Sequence, residues 1–139
     1  MTAFPALGLD TASRFLVALG LEFDEVAGDG VRGRIELGPQ HHNPWGVVHG
    51  GVHSTVVERA ASVGASKAVA DRGLFAVGVH NATDVFVTTT SGPALVTAHP
   101  VFQGDLQQVW SVEITAGGGT GPLLARGQLR LQNVPKRAS

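Results

Sequence analysis

The spacing of hydrophobic and polar positions changes period along this chain. Across residues 31–37, Arg32, Arg34 and Glu36 alternate with Gly33, Ile35 and Leu37, the two-residue period of a strand with one wet face. Residues 21–26 form a similar run, and Gly28-Asp29-Gly30 between the two supplies a turn. Upstream, Asp10-Thr11-Ala12-Ser13 offers capping residues for a short helix that presents Phe15, Leu16 and Leu19 and is stopped by Gly20. Residues 38–46 are rich in breakers and read as a loop. From about 51 to 70 the period becomes helical, ending near Asp71-Arg72-Gly73. Four strand-like runs follow, over 75–87, 94–103, 107–116 and 123–133. Turn clusters separate them at Thr90-Ser91-Gly92-Pro93, at Gly104-Asp105 and at residues 117–122. The closing segment, 134–139, is expected to fray.

One long helix beside about six strands, joined by short turns, predicts an α+β fold with an antiparallel sheet wrapped around the helix. At ~100° per residue, Gly51, Ser54, Thr55, Glu58, Ala61, Ser62 and Ala65 fall on one side of that helix. Val52, Val56 and Val63 lie on another, which suits a curved sheet. The small-residue side allows close approach of a neighbouring backbone. No internal repeat is present, and residues 1–139 read as one domain.

Composition narrows the function classes. At 139 residues, 43% hydrophobic and 15% charged, the chain is large and apolar enough for a core without staples. Net charge is −1 and the ten Lys and Arg are scattered, which gives no nucleic-acid footprint. The absence of cysteine excludes disulfides, a thiol nucleophile and thiolate metal sites. No signal-like start and no run approaching the ~18 apolar residues of a membrane span are found. The expectation is a soluble, cytoplasmic protein with no membrane partner. Low charge with much Ala, Val and Gly hints at self-association.

Candidate chemistry concentrates in Asn43-Pro44-Trp45-Gly46-Val47-Val48-His49-Gly50-Gly51 and the helix it opens. Two glycines at a helix mouth leave N–H groups bare, at the positive end of the helix dipole, where a developing oxyanion is stabilised. Glu58 lies two turns on among small uncharged neighbours, a setting in which a carboxylate needs a reason. Eight residues separate Gly50 from Glu58, ~12 Å along one helix at 1.5 Å per residue. A reacting carbonyl needs both groups within about 3 Å, so one helix cannot supply both to it. Two antiparallel helices from two subunits can, which predicts an obligate dimer with two symmetric sites. Asn43 is either a turn residue before Pro44 or a group that orients water or the carbonyl. Ser62 either bonds the carboxylate or water, or bonds back to its own helix. His49, Gly51 and Trp45 beside the mouth are candidate substrate contacts.

Other readings are weaker. His49 and His53, with His41 and His42 nearby, suggest zinc, but His53 falls away from Glu58 and no Glu lies between helical histidines as metalloproteases require. No nucleophile-elbow pattern surrounds any serine. Gly117-Gly118-Gly119-Thr120-Gly121 lacks the Lys-Ser/Thr end of a phosphate loop and precedes a strand, so it reads as a hairpin turn.

The motif Asn43-Pro44-x-Gly46-x-Val48-His49-Gly50-Gly51, with an acid eight residues after Gly50, resembles the hotdog-fold acyl-CoA thioesterases. It is similar to both the phenylacetate-pathway type and the glutamate-bearing 4-hydroxybenzoyl-CoA thioesterase type. The likeness continues through Phe75-Ala76-Val77-Gly78-x-x-Asn81 and covers nearly all of the chain after residue 20. It implies a central helix wrapped by the sheet, paired into homodimers and often homotetramers. It also implies Gly50 as oxyanion donor, Glu58 as nucleophile or general base, and Asn43 at the polar position meeting the carbonyl or water. Ser62 would be the hydroxyl after the acid. No cofactor is called for. The chain departs from those relatives at Phe86-Val87-Thr88, where an Arg-Pro pair is common and the arginine often meets CoA phosphates. Gly104-Asp105-Leu106 also lacks phosphate-gripping side chains, so CoA and other thioester carriers both stay open.

The resulting expectation is hydrolysis of an acyl-CoA or related acyl thioester to an acid and a thiol. Two alternatives are a hydro-lyase acting on acyl thioesters through His49 and Glu58, and a non-catalytic module binding acyl thioesters or small aromatics.

Overall fold

The computed structural model describes residues 13–136. The first helix, α1 (Arg14–Leu19), is capped by Ser13, whose Oγ accepts the Leu16 N–H, and ends on Gly20 at φ 81°. Asp10, Thr11 and Ala12, the other expected cap residues, lie outside the described residues. Strands β1 (Glu22–Ala27) and β2 (Gly30–Leu37) form a hairpin through Gly28 and Asp29. A breaker-rich loop leads into α2 (Gly50–Val69), followed by β3 (Leu74–Val85), β4 (Gly92–Gln103), β5 (Gln107–Ala116) and β6 (Leu123–Pro135). One six-stranded sheet results, in the order β1-β2-β4-β5-β6-β3, with every neighbouring pair antiparallel. Helix α2 touches every strand. This is the α+β architecture of the expectation.

The helix lies close to the sheet because its inner face is small. A Cβ on Gly64 would sit 2.6 Å from Trp110 Cη2, and one on Gly127 of β6 would sit 2.7 Å from Val57. Val56, Val57, Ala60 and Val63 pack into a core with Trp110, Val112, Leu129 and Leu131. Each large apolar side chain so buried contributes about 1.5–3 kcal/mol. The polar edge of Trp110 is satisfied: its indole N–H donates to Gln108 Oε1 (2.9 Å), while the Gln108 amide donates to Ala65 O and Asn133 Oδ1. Ala61 and Ala65, expected on the face shared with Glu58, are buried in this core, so that face is open only over its first two turns.

Most boundaries shift by one residue, and β4 begins two residues early, at Gly92 inside the expected turn. Two further differences have a hydrogen-bond reason. Strand β3 stops at Val85, two residues early, because the Phe86 and Val87 N–H groups both turn to Leu124 O (2.8 and 3.3 Å). At the other end, Val134 and Pro135, expected to fray, belong to β6, and the Lys136 N–H continues the edge by donating to Gly73 O at 2.9 Å.

A third feature had no sequence signal. Opposite β6, Gly78 pairs with Leu131 and His80 with Arg130, so Val79 is an extra residue, a β-bulge. A bulge reverses which side chains face inward. Ala76 and Gly78 face α2 before it, and Asn81, Thr83 and Val85 face the α2 side after it. Without the extra residue His80 and Asp84 would occupy that side.

Candidate active site

The loop before α2 is held from several directions. The His41 ring accepts the Gly38 N–H at Nδ1 (3.2 Å) and donates from Nε2 to Leu19 O (2.8 Å), while its carbonyl accepts the His49 N–H (2.8 Å). Val48 donates to Thr89 O (2.9 Å), tying the loop to the segment after β3. Asn43 makes a tight turn: its Oδ1 accepts the N–H of Trp45 (2.9 Å) and of Val47 (3.4 Å), and Gly46 takes φ 80°. The turn role proposed for Asn43 is therefore occupied, and its side-chain carbonyl is committed to the loop.

His49 is the N-cap of α2, at φ −65° and ψ 137°, and its Nδ1 accepts the Gly51 N–H at 2.8 Å. That bond places the ring proton on Nε2. It also corrects the picture of two bare amides, since Gly51 is satisfied by the neighbouring histidine. Among the described residues the Gly50 N–H has no hydrogen-bond acceptor, and a Cβ there would meet nothing within 4 Å. One open donor stands at the positive end of a 20-residue helix.

From that donor a cleft of about 490 Å³ runs along the outer face of α2. Gly50, Ser54, Thr55 and Glu58 form one wall and Asn81, Thr83 and Val85 of β3 the other. The Ser54 and Thr55 hydroxyls both donate to Gly51 O (3.2 and 2.7 Å), which commits their protons to the helix. The Asn81 amide donates to Ser54 O at 2.9 Å and its Oδ1 accepts the Thr83 hydroxyl at 2.7 Å, which clamps strand to helix. Glu58 is exposed and overhangs Gly78, so near that a Cβ on Gly78 would lie 3.1 Å from Glu58 Oε1.

The structure thus brings Gly50 and Glu58 into one groove, at opposite ends. Asn43, Ser62 and Trp45 do not line it: Asn43 serves its turn, the hydroxyl of the half-buried Ser62 has no hydrogen-bond partner among the described residues, and Trp45 is 84% exposed. His49 and Gly51 line a second, mainly apolar cleft of about 390 Å³ between α1 and α2, walled by Phe15, Leu19 and Val52 and meeting the first at Thr55. Asn81, named only as part of the family-like stretch, and Thr83 had no site role from the sequence, because the bulge that turns them inward has no local signature. Among the described residues no group of three or more His, Asp or Glu is placed to hold a metal ion.

The sequence of residues 45–122 matches the family model described as the thioesterase superfamily. The chain belongs to the thioesterase superfamily. Among relatives, the Mycobacterium tuberculosis protein Rv1847 is 40% identical over 121 residues, 86% of this chain and 85% of that protein. Its solved structure superimposes with a TM-score of 0.84, covering 91% of this chain and all of that one. A Listeria monocytogenes 1,4-dihydroxy-2-naphthoyl-CoA hydrolase is 32% identical over 98 residues, 70% of this chain and 78% of that enzyme. S. sahachiroi AziG is 41% identical with a TM-score of 0.83, covering 88% of this chain and 98% of that one. The hotdog fold of these thioesterase-superfamily proteins is the fold of this chain, and among the described residues no helix is long and apolar enough to cross a membrane.

Helix α2 also carries a buried titratable group. His53, 1% exposed, has an Nδ1 with no hydrogen-bond partner among the described residues. Burial lowers its pKa below the ordinary 6.5, and nearby His41 lowers it further. Between the lowered value and 6.5 the unfolded chain binds more protons than the native one, so stability falls as pH falls through that window. The melting temperature is expected to drop from about pH 7 to about pH 5, and His53→Leu to flatten that slope. Thermal melts of both proteins across this range check it, and equal slopes contradict it.

Proposed function

We propose that this chain hydrolyses an acyl thioester at a site shared by two copies. Superfamily membership supports thioester hydrolysis in general. The observation that carries the finer reading is the unsatisfied Gly50 N–H opening into the same cleft as Glu58. The thioester carbonyl oxygen accepts from Gly50 N–H, which stabilises the oxyanion as the carbonyl is attacked. Either Glu58 attacks the carbonyl carbon and expels the thiolate, and water then hydrolyses the resulting mixed anhydride, or Glu58 takes the proton of a water that attacks and the tetrahedral intermediate expels the thiolate. Both routes end in the free acid and thiol with Glu58 regenerated. Because ~12 Å of helix separates the two groups, the Glu58 that meets a given Gly50 comes from a second copy lying antiparallel.

The two sheet edges support this pairing. Edge strand β1 carries Glu22, Asp24 and Glu25, with Arg34 of β2 bound to Glu22 (2.8 Å) and Asp24, the charged finish that discourages strand addition. The other edge, β3, runs 12 residues with Asp84 as its one acidic side chain and with exposed Val79 and Val85. It borders the cleft, so a copy added there closes over Glu58.

Thiol release measured over aliphatic, aromatic and hydroxylated acyl-CoAs tests the activity. The reading expects turnover of at least one, and the hydrolase named among the relatives makes aromatic acyl-CoAs the first choice. Hydration of an enoyl thioester without thiol release would favour the hydro-lyase alternative. Saturable binding with neither reaction would favour a binding module.

A further inference from the structure

We propose that Gly78 is a positioning residue, whose missing side chain is the space that sets the Glu58 carboxylate. The inference rests on Glu58 carrying the chemistry. A Cβ built on Gly78 lies 3.1 Å from Glu58 Oε1, 3.4 Å from its Cδ and 3.4 Å from Leu129 Cδ1. The first of these is tighter than nine in ten real Cβ contacts, so a side chain at residue 78 pushes the carboxylate aside by a few tenths of an ångström.

Backbone conformation does not explain the glycine. Gly78 is not among the residues with positive φ, so other residues fit its dihedral angles. Glycine inside a strand costs about 0.5–1 kcal/mol in chain entropy, and such glycines mark bulges or close approaches. Here both coincide: the bulge begins at Gly78, and the closest atom to its open side is the carboxylate.

The bulge also sets the other wall. By reversing the inward parity it brings Asn81 to the α2 backbone at Ser54, one turn before Glu58, with Thr83 orienting the amide. Among the described residues no hydrogen bond holds the carboxylate, so the floor beneath it limits where it rests. Gly78 is that floor.

The test is a set of variants assayed for thiol release. Gly78→Ala is expected to lower kcat by about tenfold or more while KM changes less than about twofold, since displacements below 1 Å at a reacting group have effects of this order. Shortening the acid relieves the contact, so Glu58→Asp should cost less in the Gly78→Ala background than alone, a coupling that purely structural damage does not produce. Leu129→Val removes the other close contact. If Leu129→Val alone restores turnover to Gly78→Ala, the glycine serves packing and the proposal is overturned. Independent effects of Gly78→Ala and Glu58→Asp overturn it too. Glu58→Gln separates the two levels of inference. Full turnover in Glu58→Gln defeats the reading of Glu58 itself, whereas an inactive Glu58→Gln beside a Gly78→Ala within twofold of the unsubstituted protein defeats only the role of Gly78.

Discussion

Glu58→Gln is expected to lower thiol release by about a thousandfold, with substrate binding and folding retained. A neutral amide of the same shape neither attacks a carbonyl nor accepts a proton from water, and loss of a positioned general base costs about 10²–10⁴ in rate. A thousandfold is about 4 kcal/mol of transition-state stabilisation. Fold is spared because the Glu58 carboxylate is exposed and has no hydrogen-bond partner among the described residues, and surface changes of this kind stay within about 0.5 kcal/mol. Steady-state kinetics with circular dichroism check both halves. A Glu58→Gln protein with near-normal kcat removes the acid from the mechanism.

Gly50→Pro is expected to lower kcat by about 10²–10³-fold, the effect of deleting one oxyanion donor. Gly50 is the first residue of α2, the helical position where proline is tolerated because its N–H has no partner within the helix. His49 before it sits at φ −65° and ψ 137°, the extended region that a residue preceding proline prefers. A Cβ at residue 50 meets nothing within 4 Å, so the substitution removes a hydrogen and little else from the protomer. Gly50→Ala keeps the N–H and should lose far less. Equal losses in the Pro and Ala variants would mean that bulk at residue 50, and not the amide, matters.

What could be read in the sequence was what depends on neighbouring residues. The Gly28-Asp29 turn, the alternation of β2 and the 20-residue helix with Glu58 on its open side all follow from local period and from breakers. Strand order did not follow, because β2 pairs with β4 and β3 with β6 across long sequence separations. The Val79 bulge appears only when β3 is set against β6, so Asn81 and Thr83 stayed invisible as site residues. Asn43 carried two roles of equal weight until the loop geometry gave its carbonyl to Trp45 and Val47. Likewise the Gly51 amide looked free in the sequence, and only the rotamer of His49 shows it taken. His53 was weighed in the sequence only as a weak zinc ligand on the side away from Glu58, and its burial shows only in the packed fold.

Complementation between two inactive variants tests the shared site most directly. Gly50→Pro and Glu58→Gln protomers, mixed and reassociated, form mixed dimers in about half of the population, each with one intact site built from the good Gly50 of one chain and the good Glu58 of the other. Recovery of about one quarter of the unsubstituted turnover is the predicted result. A mixture that stays as inactive as its two components, despite proven exchange of subunits, would show that each protomer works with its own pair and would contradict the account.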